Sequence, residues 1–350
     1  MATTHKIYNA DSSKLSCIAD KSIHLIVTSP PYPMIEMWDD MFKDQSQIIE
    51  TYFQEHDFNQ AFEAMHSVLD NVWKECDRVL ADNGFICINI GDATRTLDGT
   101  FRLFSNHSRI IQFFSAMGYT VLPDILWRKQ SNAPNKFMGS GMYPAGAYVT
   151  YEHEYILVFR KGGKRIFNGK AKQMRQESAY FWEERNVWFS DLWEIKGTSQ
   201  IINKSTASRN RNASFPFEVP YRLINMYSVK GDTVLDPFCG LGTTNLACIA
   251  SERNSIGVEI SPEIAALARE TIANQAKGLS RVIESRLSAH SAFIGSLSDE
   301  KREKCYQNSF HGFAVKTRQE TALQIRDIAD IDFRPDMVIC HYEQNNSAVR

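Results

Sequence analysis

Thr233-Val234-Leu235-Asp236-Pro237-Phe238-Cys239-Gly240-Leu241-Gly242-Thr243-Thr244 is the stretch on which the fold turns. Thr233–Leu235 reads as a strand, the two glycines as a tight loop, and Thr243 onward as a helix running to about Ser251. Two glycines let the backbone approach a ligand closely, and the helix start favours negative groups. Ser255–Glu259 follows as another strand, and Ser261-Pro262-Glu263 opens a further helix with a capping serine and a first-turn proline. Strand, helix and strand in this order predict parallel neighbours in one sheet.

The pattern extends upstream. Lys6–Asp11 and Ile23–Thr28 read as strands. Residues 59–81 carry apolar side chains at helical spacing, with Asn83-Gly84 as the stop. Phe85–Ile90 is a strand, 103–118 a helix, and Tyr119–Trp127 and Glu154–Phe159 two more strands. The expected fold is α/β: a doubly wound, mostly parallel, seven-stranded sheet. Between the last two of these strands, Ser131–Ala147 is too long for a simple connection and marks a functional or mobile loop.

Composition narrows the classes. The chain has 350 residues, 43% hydrophobic and 23% charged, with a net charge of −2, so a nucleic-acid surface must be a local patch. Seven cysteines form no CxxC pair and no zinc spacing, which favours a reducing, cytoplasmic setting and no metal. No apolar run approaches membrane-helix length, and the N-terminal residues lack a signal-peptide core.

Ser29-Pro30-Pro31-Tyr32 follows the apolar run Ile23–Val27, so a rigid tetrapeptide stands at the carboxyl end of a strand, where open α/β sheets bind ligands. Two prolines fix φ and remove two N–H donors. A serine hydroxyl, extended carbonyls and an aromatic ring suit a flat ring that bears an amino group.

The Asp236 loop lacks the third glycine of a dinucleotide fingerprint, which is Asn245 here, and lacks the Gly-Lys-Ser/Thr of a phosphate loop. A ligand with a carboxylate fits better than a polyphosphate. Glu259, ending the next strand, suits ribose hydroxyls, and Asp11, ending the first, suits an adenine amine. A nucleoside with an amino-acid tail is S-adenosylmethionine.

Taken together, Thr28-Ser29-Pro30-Pro31-Tyr32 and Asp236–Thr244 resemble the catalytic and cofactor motifs of the amino-group DNA methyltransferases. Their order resembles the circularly permuted β class, over roughly residues 5–278. The resemblance implies a Rossmann-like methyltransferase fold with a small target-recognition insert and a C-terminal extension. Its parts would be a catalytic half (1–160), a recognition insert (161–212), a cofactor half (213–278) and an extension (279–350). It implies that Ser29, Pro30, Pro31 and Tyr32 hold a flipped base. Asp11, Thr28, Phe215, Asp236, Pro237, Phe238, Gly240, Gly242, Thr243, Thr244 and Glu259 would bind the cofactor.

The implied reaction is direct methyl transfer to an exocyclic amine, without a covalent intermediate. Orientation in line with the sulfonium methyl supplies ~7–11 kcal/mol. Flipping costs a few kcal/mol, and stacking on Tyr32 returns ~1–3 kcal/mol. Carbon-5 methylation needs a Pro-Cys nucleophile, which is absent from the chain. Ser29 replaces the aspartate common in adenine-specific relatives. A hydroxyl can accept from N4–H and donate to the ring N3 of cytosine, which favours cytosine N4 over adenine N6.

Arg160, Lys161, Lys164, Arg165, Lys170, Lys172 and Arg175 form a basic run without an acid, suited to phosphate contact with double-stranded DNA or else a solvated loop. Met34–Phe42 is a lid over the cofactor or core packing. Residues 279–350 carry ten basic and ten acidic residues and suggest no role. A restriction endonuclease is the expected companion, and the chain is a monomer or homodimer. A catalytically silent DNA-binding protein is the non-enzyme alternative.

Overall fold

The computed structural model describes residues 1–129, 138–196 and 215–344. Ten strands form the main sheet: β1 (Ala2–Asn9), β2 (Ile23–Thr28), β3 (Leu80–Ile90), β4 (Thr120–Arg128), β5 (His153–Arg160), β6 (Leu192–Glu194), β7 (Thr233–Asp236), β8 (Asn254–Glu259), β9 (Arg326–Phe333) and β10 (Val338–Gln344). Their spatial order is β6-β4-β5-β3-β2-β7-β8-β1-β10-β9. The block β3-β2-β7-β8-β1 is parallel throughout, while β5 runs against both β3 and β4.

The seven expected strands are adjacent in this sheet. The other three come from the insert and the tail. β6 adds to one edge from the insert. The tail supplies β9 and β10, a hairpin that pairs antiparallel with β1. The tail therefore extends the sheet.

Alternation assigns the faces. Leu25, Val27, Ile156, Val158 and Val234 enter one core; Ile26, Leu157, Phe159 and Leu235 enter the other. On the first face lie α7 (Glu218–Tyr227), α8 (Thr243–Ala250) and α9 (Pro262–Gln275). On the second lie α1 (Asp39–Gln45), α2 (Gln47–Gln54), α3 (Phe58–Val79) and α4 (Asn106–Ala116). Each fully buried Leu or Ile contributes ~1.5–3 kcal/mol, so both faces of the central strands stabilise the sheet.

Local signals set the helix ends. Asp57 caps α3 by accepting from Gln60 N over 3.1 Å, and Ser261 caps α9 ahead of Pro262. α3 ends at Val79, earlier than the expected stop, because β3 starts at Leu80. Asn83, at φ 68°, and Gly84 lie inside β3, where its register with β2 shifts between Ile23 and Leu25.

The insert and tail also pack on each other, beside β9. α5 (Gly169–Glu177) and α6 (Trp182–Trp188) precede β6, and α10 (Ser280–Ser296) follows α9. Phe181, Ile283, Leu287, Val315, Leu323 and Ile325 form a third core. Arg286 bonds both oxygens of Glu184, at 2.6 and 2.8 Å. Among the described residues, no helix is long and apolar enough to cross a membrane.

Candidate active site

The carboxyl ends of the parallel strands converge on one cavity of about 290 Å³. Ser29 leaves β2, Asp236 ends β7, Glu259 ends β8, and Asp11 follows β1. All four line the cavity, with Pro31, Phe215, Pro237, Phe238, Gly240 and Thr243. The Ser29-Pro30-Pro31-Tyr32 tetrapeptide, a clamp at the end of β2, and the glycine loop, some two hundred residues later in sequence, thus share one space. Phe215, which contributes to this wall, is the first described residue after 196.

Thr28 and Thr244 stand behind the wall. Thr28 Oγ1 donates to Asp236 Oδ1 at 2.7 Å, Thr244 Oγ1 to Oδ2 at 2.6 Å, and Phe238 N to Oδ1 at 3.1 Å. Asp236 is 3% exposed. Burial pushes its carboxyl up to about 6, against the pull of these hydrogen bonds. Gly242 adopts φ 80° at the start of α8, which a side chain would strain. Glu259 accepts from Gly240 N at 3.1 Å and Ser261 N at 3.0 Å, tying the loop to β8. Asp11 accepts from Ser13 N at 2.8 Å, which fixes its turn.

Gly257 allows this arrangement. A Cβ there would stand 2.5 Å from Cys239 Sγ and 2.9 Å from Asn245 Oδ1. Cys239 itself is buried, and burial pushes its thiol well above the ordinary range. Such a thiol is a packing group, not a nucleophile.

The cavity wall has four acids, Asp11, Asp236, Glu259 and Glu263, and no Lys, Arg or His among its described residues. That field suits a cationic ligand and opposes a polyphosphate. A sulfonium beside an ammonium fits, so the residues present fit S-adenosyl-L-methionine.

Sequence reasoning left several wall residues open. Of the Met34–Phe42 stretch, Met34 and Phe42 are buried at 1% and 0% exposed, and Trp38, Met41 and Phe42 line the cavity. Val68, Leu69 and Val72 of α3 and Ile264 and Leu267 of α9 complete the apolar side. Their helical spacing marks them as inward-facing but does not distinguish core from cavity.

Behind the clamp lies a polar cluster that the sequence did not announce. Tyr32 is 9% exposed, with its ring against Gly91, where an added Cβ would stand 3.0 Å away. Its hydroxyl donates to Glu154 Oε2 at 3.0 Å and lies 3.0 Å from Ser29 Oγ. Asn89 Nδ2 donates to Tyr32 OH at 2.8 Å and to Glu154 Oε2 at 2.6 Å. Lys129 pairs with the other oxygen of Glu154. Burial, and then the Glu154 charge, push the Tyr32 phenol well above its ordinary value. Asn89 sits near the end of β3, beside β2, and Glu154 at the start of β5, one strand further; the strand-end position was the available signal.

The basic run lies elsewhere. β5 is antiparallel to β3, pairing Ile90 with Tyr155 and Phe85 with Arg160, so Arg160 is at the end of the sheet opposite the clamp. Lys161 pairs with Asp77 at 2.9 Å, and Arg165 binds both oxygens of Asp232 at 2.6 and 2.9 Å. Lys164, Lys170, Lys172 and Arg175 are exposed. α5 ends beside Lys230, whose N–H donates to Ser178 Oγ at 2.9 Å just before β7 begins. The phosphate contact expected of these seven is therefore not supported by their position. Among its described residues, the 161–212 segment returns to the Ser29 end of the sheet at β6; its residues 197–212 lie outside the described residues, as does 131–137 of the Ser131–Ala147 loop.

A strand-end clamp, a glycine loop and an acidic cavity between them define a methyltransferase of amino groups. The chain belongs to the N6/N4 methyltransferase family, described as DNA methylase, whose model matches residues 23–270. It is 49% identical to the Type II methyltransferase M.MthZI of Methanothermobacter thermautotrophicus over 328 residues, 93% of this chain and 91% of that one. To the Type II methyltransferase M.MjaI of Methanocaldococcus jannaschii it is 50% identical over 283 residues, 78% of this chain and 92% of that one. A DNA modification methylase of Thermus thermophilus, solved with S-adenosyl-L-methionine, superposes with a TM-score of 0.61 at 30% identity, over 78% of this chain and 94% of that one. The cytosine-N4-specific PvuII DNA methyltransferase shares the fold, with a TM-score of 0.53 at 19% identity over 77% and 86% of the two chains. The cofactor of this enzyme is S-adenosyl-L-methionine.

Proposed function

We propose that this chain is a Type II enzyme that methylates the exocyclic N4 of a cytosine flipped out of duplex DNA, as the modification half of a restriction-modification system. The observation that carries the reading is the shared cavity: Ser29 and Pro31 form one wall, and Asp236, Gly240 and Glu259 another. The cofactor, when bound, supplies a methyl group on a sulfonium. The chain's own residues do the rest. Asp236 and Glu259 set the negative field that draws a cation into the cavity. Ser29 accepts an N–H of the amine and localises a lone pair otherwise delocalised into the ring. Trp38, Met41 and the α3 side chains exclude water. Positioning of this kind accounts for ~7–11 kcal/mol of the barrier, which exceeds the few kcal/mol of base flipping.

Ser29 favours cytosine, since a neutral hydroxyl stands where adenine-specific relatives carry aspartate. Labelled methyl transfer to duplex DNA, followed by nucleoside analysis, tests both levels. N4-methylcytosine is expected. N6-methyladenine would overturn the base, and no transfer would overturn the activity. Sequencing genomic DNA from cells expressing the chain then gives the target site.

A further inference from the structure

Behind the clamp, hydrogen bonds run in one direction only. An ionised carboxylate accepts and cannot donate. Glu154, ion-paired to Lys129, therefore takes the single phenolic proton of Tyr32. With that proton committed, the Tyr32 oxygen meets Ser29 Oγ, 3.0 Å away, only as an acceptor. The proton of Ser29 accordingly points at Tyr32. Asn89 Nδ2, a donor only, lies 2.8 Å from Tyr32 OH and 2.6 Å from Glu154 Oε2, and holds the same polarity. Ser29, which lines the cavity, is left with lone pairs to offer. Its donation to the ring N3, on which the choice of cytosine over adenine rested, goes to Tyr32 instead, so the nucleoside analysis above decides the base.

We propose that Glu154 fixes Ser29 as an acceptor for the substrate amine and receives, through Tyr32 and Ser29, the proton that methylation releases. This rests on the amine-methylation reading above. As the nitrogen lone pair forms the N–CH₃ bond, the S–CH₃ bond breaks and its electron pair stays on sulfur. The nitrogen becomes positive and loses one N–H proton to Ser29 Oγ, keeping the bonding pair. Ser29 passes its own proton to Tyr32, and Tyr32 passes its own to Glu154. The products are a neutral methylamine, a neutral thioether and a protonated Glu154, whose side chain is 12% exposed and returns the proton to water. Glu154 acts through other side chains, so it is a positioning residue.

The test is single-turnover methyl transfer on preformed enzyme–DNA–cofactor complexes. Glu154→Gln keeps the shape but removes the proton acceptor; its rate is expected to fall at least ~100-fold, with cofactor and DNA dissociation constants within about twofold of wild type. Glu154→Asp recovers part of the rate. Tyr32→Phe, which leaves the Glu154–Lys129 pair intact, falls as far as Glu154→Gln, and the double variant falls no further. A Glu154→Gln or Tyr32→Phe enzyme with near wild-type rate overturns the proposal, as does a loss explained by weaker binding. Should Glu154→Gln not fold, Tyr32→Phe alone decides. N6-methyladenine from the wild type would sink the cytosine reading and leave the relay standing. No transfer from the wild type would sink both.

Discussion

Thr28 Oγ1 donates to Asp236 Oδ1 over 2.7 Å, across 208 positions of sequence. The bond joins the last residue of β2 to the last residue of β7. It is buried at both ends, and it links the Ser29 segment directly to the glycine loop.

Thr28→Val removes a donor from a buried carboxylate and nearly keeps the volume. A hydrogen bond to a charged group contributes ~1.5–3 kcal/mol, so a loss of that size in denaturant unfolding is expected, together with weaker cofactor binding. Unchanged stability and unchanged affinity would show the bond to be idle.

Asp236 predicts a pH dependence. Its carboxyl is pushed up to about 6 by burial. A raised acid contributes stability that is present below its unfolded value and lost as pH rises through about 6. A cationic ligand prefers the ionised form, so binding below pH 6 must expel a proton. Cofactor affinity is expected to weaken about tenfold from pH 7 to pH 5, with proton release visible by calorimetry in buffers of different ionisation enthalpy. Glu259 and Asp11 share the cavity and add to the field, so Asp236→Asn is the control that must flatten the profile near pH 6.

Gly257→Ala places a methyl group 2.5 Å from Cys239 Sγ. The glycine loop must move, because Cys239 N is held by Val258 O at 2.9 Å. Overpacking of this kind costs ~1–3 kcal/mol. Thermal unfolding and cofactor titration should both register it; an unaltered protein would mean that the loop yields freely.

Ser29→Ala leaves the cofactor wall in place and removes the acceptor for the amine. Methyl transfer should fall by orders of magnitude while cofactor affinity holds. Wild-type turnover by this variant would end the assigned role of Ser29.

Much of this site was legible in advance because short-range chemistry wrote it. Prolines after an apolar run and glycines before a helix declare their backbone shape without reference to the rest of the chain. Asn89, Glu154 and Lys129 could not be read that way. They come from three strand ends whose meeting depends on β5 lying antiparallel beside β3. The same antiparallel turn sets the place of the basic run, which the sequence left between phosphate contact and a solvated loop: Arg160 pairs with Phe85, far from Ser29. The tail was opaque for a related reason, since β10 finds its partner in β1, at the other end of the chain.

The basic run yields its own test. Lys161→Glu and Arg165→Glu break pairs with Asp77 and Asp232 and should lower stability with little effect on transfer by the folded fraction. Reversal of the exposed Lys170 and Lys172 should leave DNA affinity and its salt slope within about twofold of wild type. A uniform, steep loss of affinity would bring DNA to that end of the sheet after all.

The place of β7 between β2 and β8 has a consequence for how the chain is made. β2 leaves the ribosome early, with one edge open and apolar side chains on both faces, and its partner on that side is complete only at Asp236. At ordinary synthesis speeds the wait is roughly 10–40 s. During that time the part already made presents the open edge of a central strand, so its yield in the cell should depend on chaperone capacity more than that of an unpermuted sheet.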